Sequence, residues 1–129
     1  MAVFLALGAT YQYDVPGHAP VFWDVAAALR EVEAGHVEVT VPIDREEMAG
    51  IRQNCHWDAA KIDHVDPTIP GIGAPLMLPD EKVVIYILID GTHRCVRALR
   101  DGLPFHARLL TFEAAKRCLL SCPPELLPW

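Results

Sequence analysis

The sequence predicts an α+β fold in which helices pack on a small sheet. First, 52% of the 129 residues are hydrophobic and 22% are charged, a composition typical of a globular domain rather than a disordered or fibrous chain. Second, eleven prolines and eight glycines divide the chain into short elements. Third, stretches with helical and strand periodicity alternate along the chain. We therefore expect a single domain spanning residues 1–129.

The first half of the chain predicts two strands and two helices. Ala2–Thr10 is apolar, which is typical of a buried strand. Val21–Ala34 carries apolar residues at helical spacing and ends at a glycine. Val37–Ile43 alternates apolar and polar residues, as a half-exposed strand does. Asp44 is suited to cap a helix that continues to Asn54.

The middle of the chain predicts short strands around a proline-rich and glycine-rich loop. Ala60–Val65 is predicted as a short strand and Pro67–Pro75 as a loop. Pro75–Leu78 and Val83–Asp90 are predicted as two strands joined by a turn. Because Val83–Ile89 is apolar throughout, we expect a central strand that is covered on both faces.

The last part predicts a helix over Thr92–Asp101 that is closed by a glycine, and a strand over Phe105–Leu110. A further helix is predicted from Thr111 to about Leu120, because two prolines at 123 and 124 prevent its continuation.

Charge and hydropathy limit the classes of partner. The formal net charge is −6, which disfavours both binding to nucleic acid and a DNA-acting nuclease. Residues 88–129 nevertheless hold six basic side chains against four acidic ones, so an anion would bind there. We expect no membrane segment and no signal peptide, four reduced cysteines, and a cytoplasmic location.

The chemistry is concentrated where the apolar strand ends, at Asp90-Gly91-Thr92-His93-Arg94. The first N–H groups of a helix lack intrahelical acceptors, so such a junction can bind phosphate, and Gly91 would let the anion approach. The charges of the predicted helix are also reversed, because His93 and Arg94 begin it and Asp101 ends it. A cation in the first turn costs roughly 0.3–1 kcal/mol, a cost that a bound anion would remove.

The same residues also have a purely structural interpretation. Asp90 or Thr92 would cap the helix, and Gly91 would only form the turn. Arg94 would pair with a carboxylate of residues 1–87, the part of the chain in which acidic side chains outnumber basic ones. The residues alone do not decide between the two interpretations.

The segment from Ile89 to Arg94, followed by Ala98, the Gly102 turn and a strand, resembles the signature of the ParB/sulfiredoxin-like superfamily. The similarity covers about residues 62–110, so residues 1–61 would form an extension on the same domain. The resemblance implies a small mixed sheet with helices on it. It also implies phosphate binding by the backbone and side chains of Gly91, Thr92, His93 and Arg94.

The departures from the superfamily suggest which branch is nearest. Sulfiredoxin has a reactive cysteine where this chain has Thr92, and partition proteins continue into a helix-turn-helix domain for which we expect no room here. The Asp-Gly-His-His-Arg turn of the free serine kinases is the most similar. By this resemblance Asp90 and His93 would be catalytic, with Mg²⁺ on Asp90 and ATP, ADP or CTP as the nucleotide. Asp63 and Asp66 are candidates for the missing catalytic base by position only.

The sequence thus supports two hypotheses of function. The first is a nucleotide-binding protein; if it is an enzyme, the reaction would be phosphoryl transfer or nucleotide hydrolysis on a phosphorylated small molecule. The alternative is a non-catalytic regulatory or protein-interaction module that keeps the fold. The apolar tail Leu126–Trp129 would then dock on a protein partner or on a second copy in a homodimer.

Overall fold

The computed structural model describes residues 10–129 and shows an α+β domain. The seven strands are β1 (Thr10–Tyr13), β2 (Val21–Asp24), β3 (Val37–Ile43), β4 (Gly71–Leu78), β5 (Val83–Asp90), β6 (Phe105–Leu110) and β7 (Leu119–Ser121). The four α-helices are α1 (Val25–Glu33), α2 (Arg45–Asn54), α3 (Thr92–Asp101) and α4 (Phe112–Cys118). Two short 3-10 helices span Ala59–His64 and Pro124–Leu126. No helix within residues 10–129 is both long and apolar enough to cross a membrane.

The strands form two sheets instead of the single small sheet that the sequence predicts. A three-stranded sheet has the order β1-β2-β7, and a four-stranded sheet has the order β3-β6-β4-β5. The larger sheet is mixed, because β4 runs parallel to β6 whereas the other neighbours are antiparallel. The predicted fold class is therefore confirmed.

The main core lies between the two sheets and helices α1 and α4. It joins Trp23 of β2 and Ala28 of α1 to Ile72 and Ile89 of the larger sheet. A smaller cluster on the other face of that sheet packs Met48 of α2 against α3 and β6, with Cys95, Ala98 and Phe105. The sequence before residue 62 thus contributes to both clusters.

Several predicted elements are confirmed. The strands at Val37–Ile43 and Phe105–Leu110 and the helix at Thr92–Asp101 have the predicted bounds. Asp44 caps α2 by accepting a hydrogen bond from the N–H of Glu47 at 2.8 Å. The last helix ends two residues early, because the chain continues as β7. Apart from Thr10, the strand predicted at the N-terminus lies outside the described residues.

The helix prediction for Val21–Ala34 is wrong in its first four residues, which form β2. Trp23 and Val21 are buried and alternate with half-buried residues, so the segment has strand periodicity. The helix begins only after Asp24, whose carboxylate accepts a hydrogen bond from the N–H of Ala27.

Two predictions between residues 59 and 75 are also wrong. Ala59–His64 is a 3-10 helix capped by Asp58, not a strand. The strand β4 begins at Gly71, within the predicted loop. A Cβ on Gly73 would lie 2.6 Å from a methyl carbon of Leu109, so glycine permits the close approach of β4 and β6.

The expectation that Val83–Ile89 is a central strand is wrong as well. Among the described residues β5 pairs with β4 alone and lies at the edge of its sheet. Val84 and Tyr86 are 39% and 38% exposed. An apolar run shows which residues avoid water, but it does not show which strands pair, and here β4 is the one with neighbours on both sides.

Candidate functional site

The turn at residues 90–94 lies where the sequence places it, between the end of β5 and the start of α3. Gly91 adopts the left-handed conformation with φ of 103° and caps α3 without any side-chain hydrogen bond. A Cβ at this position would lie 2.9 Å from the Cα of Gly71, so the backbones of the turn and of β4 are in close contact. Gly91 is therefore required by the packing of the protein itself.

The guanidinium of Arg94 is bound within the protein. It donates to the Asp90 carboxylate at 2.8 Å and to the carbonyl oxygens of Pro70 at 2.7 Å and Ile69 at 3.3 Å. Its side chain is only 16% exposed. Arg94 therefore pairs with a carboxylate, as the structural interpretation expects, but the partner is Asp90 of the same turn and not a residue of the acidic part of the chain before position 88.

His93 also contacts the protein rather than open space. Its Nε2 accepts a hydrogen bond from the backbone N–H of Asp58 at 3.0 Å. This contact occupies Nε2 of the ring, so an external anion at the turn would have to bind His93 through Nδ1 or displace Asp58.

The remaining basic residues of α3 continue the same pattern. Arg97 donates to the carbonyl oxygens of Asp63 and Val65, and Arg100 binds the Asp63 carboxylate at 2.8 Å. Together with His93 and Arg94 they form what we call the basic face of α3. Because this face binds the segment 58–70, the reversed charge order of the helix is explained without an external anion.

The two carboxylates considered as a catalytic base are poor proton acceptors. Arg100 donates to Asp63 and lowers the pKa of that carboxyl. The hydroxyl and N–H of Thr68 both donate to Asp66 and lower its pKa in the same way. General base catalysis at neutral pH is favoured by a raised carboxyl pKa, which neither residue has.

The turn has few side-chain oxygens for Mg²⁺, but its backbone N–H groups are suited to phosphate. One oxygen of Asp90 binds Arg94, and within residues 10–129 no three histidine, cysteine or acidic side chains cluster in a way suited to hold a metal ion. The first turn of α3 lacks a side-chain cap, which leaves its N–H groups suited to an anion. The catalytic role of Asp90 and His93, the metal on Asp90 and the nucleotide remain predictions.

A second candidate site lies beside α2, on the face of the larger sheet that also carries α3, and was missed by the sequence reasoning. Two adjoining cavities of about 280 and 270 Å³ follow β5 and share Glu47, Ile51, Tyr86 and Leu88 in their lining. We call them together the apolar groove. Strands β3 and β6 line one end with Val41 and Leu109, and β1 lines the other with Tyr11 and Tyr13. The alternation along β3 and the single tyrosine within the apolar run of β5 were the available signals.

Three tyrosines, Tyr11, Tyr13 and Tyr86, supply the hydroxyl groups that line the apolar groove. Burial raises the pKa values of the Tyr11, Tyr13 and Tyr86 hydroxyls, so all three are neutral at physiological pH. The Tyr11 hydroxyl lies 3.9 Å from the Cys55 sulfur. Such a lining, apolar with a few hydroxyls, is suited to binding rather than to acid–base chemistry.

The C-terminal tail packs on its own domain. Leu126 is fully buried in the main core. The ring of Trp129 lies 5.9 Å from that of Phe112, and the Lys116 ammonium lies 5.5 Å from the Trp129 ring. The anchoring of Leu126 makes this tail less suited to dock on a partner than the sequence indicates.

Comparison with known proteins gives no match to any family model, curated protein or solved structure. The resemblance to the ParB/sulfiredoxin-like superfamily therefore rests on the residues of the turn and remains a prediction.

Proposed function

We propose that this chain is a non-catalytic interaction module that binds a protein partner along β5 and the apolar groove. The observation that carries the proposal is the outer edge of β5, which has no strand partner on that side among residues 10–129 and exposes Val83, Val84 and Tyr86. Unpaired backbone groups on an apolar edge strand favour the addition of another strand.

The composition of β5 supports this role. Residues Val83–Ile89 include no charge and no proline, the devices with which edge strands prevent pairing. The hydrogen bonds of Arg94 and His93 within the protein also support the proposal, because they weaken the case for a phosphate site. Both side chains already have partners within the protein, so a phosphate at the predicted site would have to compete with Asp58 and Asp90 for them.

Site-specific photo-crosslinking in the cells that make the protein tests the proposal. A photoreactive amino acid in place of Tyr86 is expected to give discrete crosslinked products. The matched control replaces Leu103, which has the same 38% exposure but lies between α3 and β6. Products from position 86 that are absent from position 103 support the module. Identical patterns from both positions, or none, would contradict it.

A second candidate function is phosphate binding at the start of α3, which the missing side-chain cap favours. This function requires an anion to compete with Asp90 for Arg94. Nucleotide binding would stabilise the folded state by mass action, so the melting temperature should rise with ATP, ADP or CTP.

The control for this test is the variant Arg94→Lys, which keeps the charge but loses the fork-like geometry of guanidinium. A nucleotide-dependent rise in the wild type that is reduced in this variant supports the second candidate. No rise with any nucleotide, with or without Mg²⁺, removes it.

A further inference from the structure

We infer that the protein partner inserts a cationic side chain, a lysine or an arginine carried on an apolar segment, into the apolar groove. Glu47 would bind the cationic group, and the three tyrosine rings of the groove would lie around it. The inference rests on the proposed function and specifies the chemistry of the partner. Beside residues 85–88 the edge of β5 faces Tyr11 and Tyr13, so a side chain fits there rather than a further strand.

The apolar groove has a carboxylate in its lining and lacks a basic side chain. Glu47 lines both cavities, whereas no lysine, arginine or histidine of residues 10–129 lines either of them. Glu47 lies in the first turn of α2 and is exposed. Its carboxylate forms no ion pair within the described part of the chain. The charge of the groove is thus complementary to a cation that a partner brings.

Aromatic rings line the same cavity as this carboxylate. Tyr11 and Tyr13 are two residues apart in β1, so they lie on one face of that strand, and Tyr86 belongs to β5. The face of an aromatic ring carries negative charge and attracts a cation that lies within about 6 Å of its centre. Rings beside a carboxylate therefore favour an ammonium or guanidinium group over a neutral or anionic one.

Two further carboxylates act on the tyrosines. Burial and, after it, the negative charge of Glu38 raise the pKa of Tyr86. Burial is also the main cause of the raised pKa of Tyr11, and the Asp14 carboxylate contributes to it. Both carboxylates add to the negative charge around the groove. The same excess holds for residues 1–87 as a whole, which contain thirteen acidic and five basic side chains.

The rest of the lining fits the carbon chain of a basic residue. Ile51 and Leu88 line both cavities, and Val41 and Leu109 line the cavity next to β3. Lysine and arginine bury their methylene groups against such apolar surface while the charged end keeps polar contacts. Val84, 39% exposed on β5, offers apolar contact to the neighbours of that residue. We therefore expect a partner segment in which a basic residue lies between apolar ones.

Photo-crosslinking from position 84 in the cells that make the protein tests the inference. Val84 belongs to β5 but does not line the groove, so a photoreactive residue there leaves the tyrosines and Glu47 in place. Mass spectrometry of the products should identify a partner segment with a lysine or arginine between apolar residues. A segment that is acidic, or that has no basic residue, overturns the inference.

The variant Glu47→Gln removes the charge and keeps the size of the side chain. The yield of the crosslinked products should fall several-fold in this variant. Glu46→Gln is the matched control, because Glu46 is exposed in the same turn of α2 but does not line the groove. Equal yields in the two variants overturn the inference.

Binding of the identified segment, made as a synthetic peptide, to the full chain gives a second readout. Its dissociation constant, measured by fluorescence anisotropy, should rise several-fold when its basic residue is replaced by glutamine. It should also rise in Tyr86→Leu, which keeps an apolar side chain but loses the ring, and at high salt. An unchanged dissociation constant for the glutamine peptide overturns the inference.

The outcomes separate this inference from the proposed function. Discrete products that form regardless of the charge at position 47 would keep the interaction module and overturn the cationic side chain as its ligand. The absence of products from both positions 84 and 86 would remove the proposed function and the inference together.

Discussion

At the residue scale, the contact between Gly91 and Gly71 shows how a motif residue can serve the fold. Gly91 has a left-handed backbone and touches the Cα of Gly71, so two requirements for glycine coincide at one position. The sequence predicts glycine here for a turn before a helix, and that part is confirmed. The partner glycine lies twenty residues away in a predicted loop, and no local pattern could have identified it.

We expect Gly91→Ala to lower the free energy of unfolding by more than about 1 kcal/mol, because it adds both left-handed strain and a steric contact. Gly50→Ala is the matched control. Gly50 lies within α2 with no atom within 4 Å of a Cβ, so alanine should stabilise the protein by about 0.5–1 kcal/mol. Urea unfolding of both variants measures the two effects, and equal losses would refute the packing argument.

Glu31 makes the free energy of unfolding decrease as the pH becomes acidic. Hydrogen bonds from Arg117 and His36 lower its pKa from 4.5 to about 2. Between these values the unfolded chain binds a proton that the folded chain does not. The stability that this carboxylate contributes is therefore complete above about pH 4.5 and is lost as the pH falls towards 2.

The wild type loses unfolding free energy as the pH falls from about 4.5 towards 2. We expect this loss to be smaller by about 1 kcal/mol in Glu31→Gln. Urea unfolding at several pH values measures the slope. Glu33→Gln, an exposed residue of the same helix, serves as the control. If the two variants have the same slope, the Glu31 ion pair does not contribute.

At the scale of elements, the basic face of α3 binds a segment that has little regular structure of its own. Between Asp58 and Pro70 the chain forms only a short 3-10 helix, and its carbonyl oxygens accept from Arg94 and Arg97. The sequence shows the reversed charges of this helix clearly. It cannot show whether an anion or the chain itself satisfies them, because the acceptors are backbone carbonyls that every residue has.

We expect Arg97→Ala to release this segment, since its guanidinium binds two carbonyl oxygens there. Trypsin should cleave after the exposed Lys61 several times faster than in the wild type, because cleavage follows local opening. Arg30→Ala, an exposed position on α1, is the control and should leave the rate unchanged. Unaltered cleavage in Arg97→Ala would show that other contacts hold the segment.

The elements that the sequence identifies incorrectly share a physical reason. β2 and the 3-10 helix are four and six residues long, too short for their periodicity to be distinguished from that of a neighbouring helix or strand. The position of β5 in its sheet depends on β4 and β6, which are separated from one another by more than twenty residues. Elements with capping residues, such as α2 and α4, are identified well at their starts.

At the scale of the whole molecule, the C-terminal tail is part of the core. Leu126 is fully buried among residues of β2, β4 and α4. Sequence alone shows that the tail is apolar, but an apolar end is equally suited to a partner and to its own domain.

We expect Leu126→Ala to destabilise the protein by about 2–5 kcal/mol, the cost of a cavity in a packed core. Leu120→Ala, at a position 58% exposed, should cost far less. Thermal unfolding compares the two, and equal losses of stability in the two variants would contradict the role of Leu126 in the core.

The pairing of β2 with β7 also affects when the protein can fold during its synthesis. The smaller sheet needs Leu119–Ser121 as its third strand, and the core needs Leu126. A nascent chain whose residues 119–126 are still inside the ribosomal exit tunnel lacks both. The domain is therefore completed only after these residues have emerged from the tunnel, and until then the apolar residues of β2 depend on the ribosome surface or on chaperones for protection.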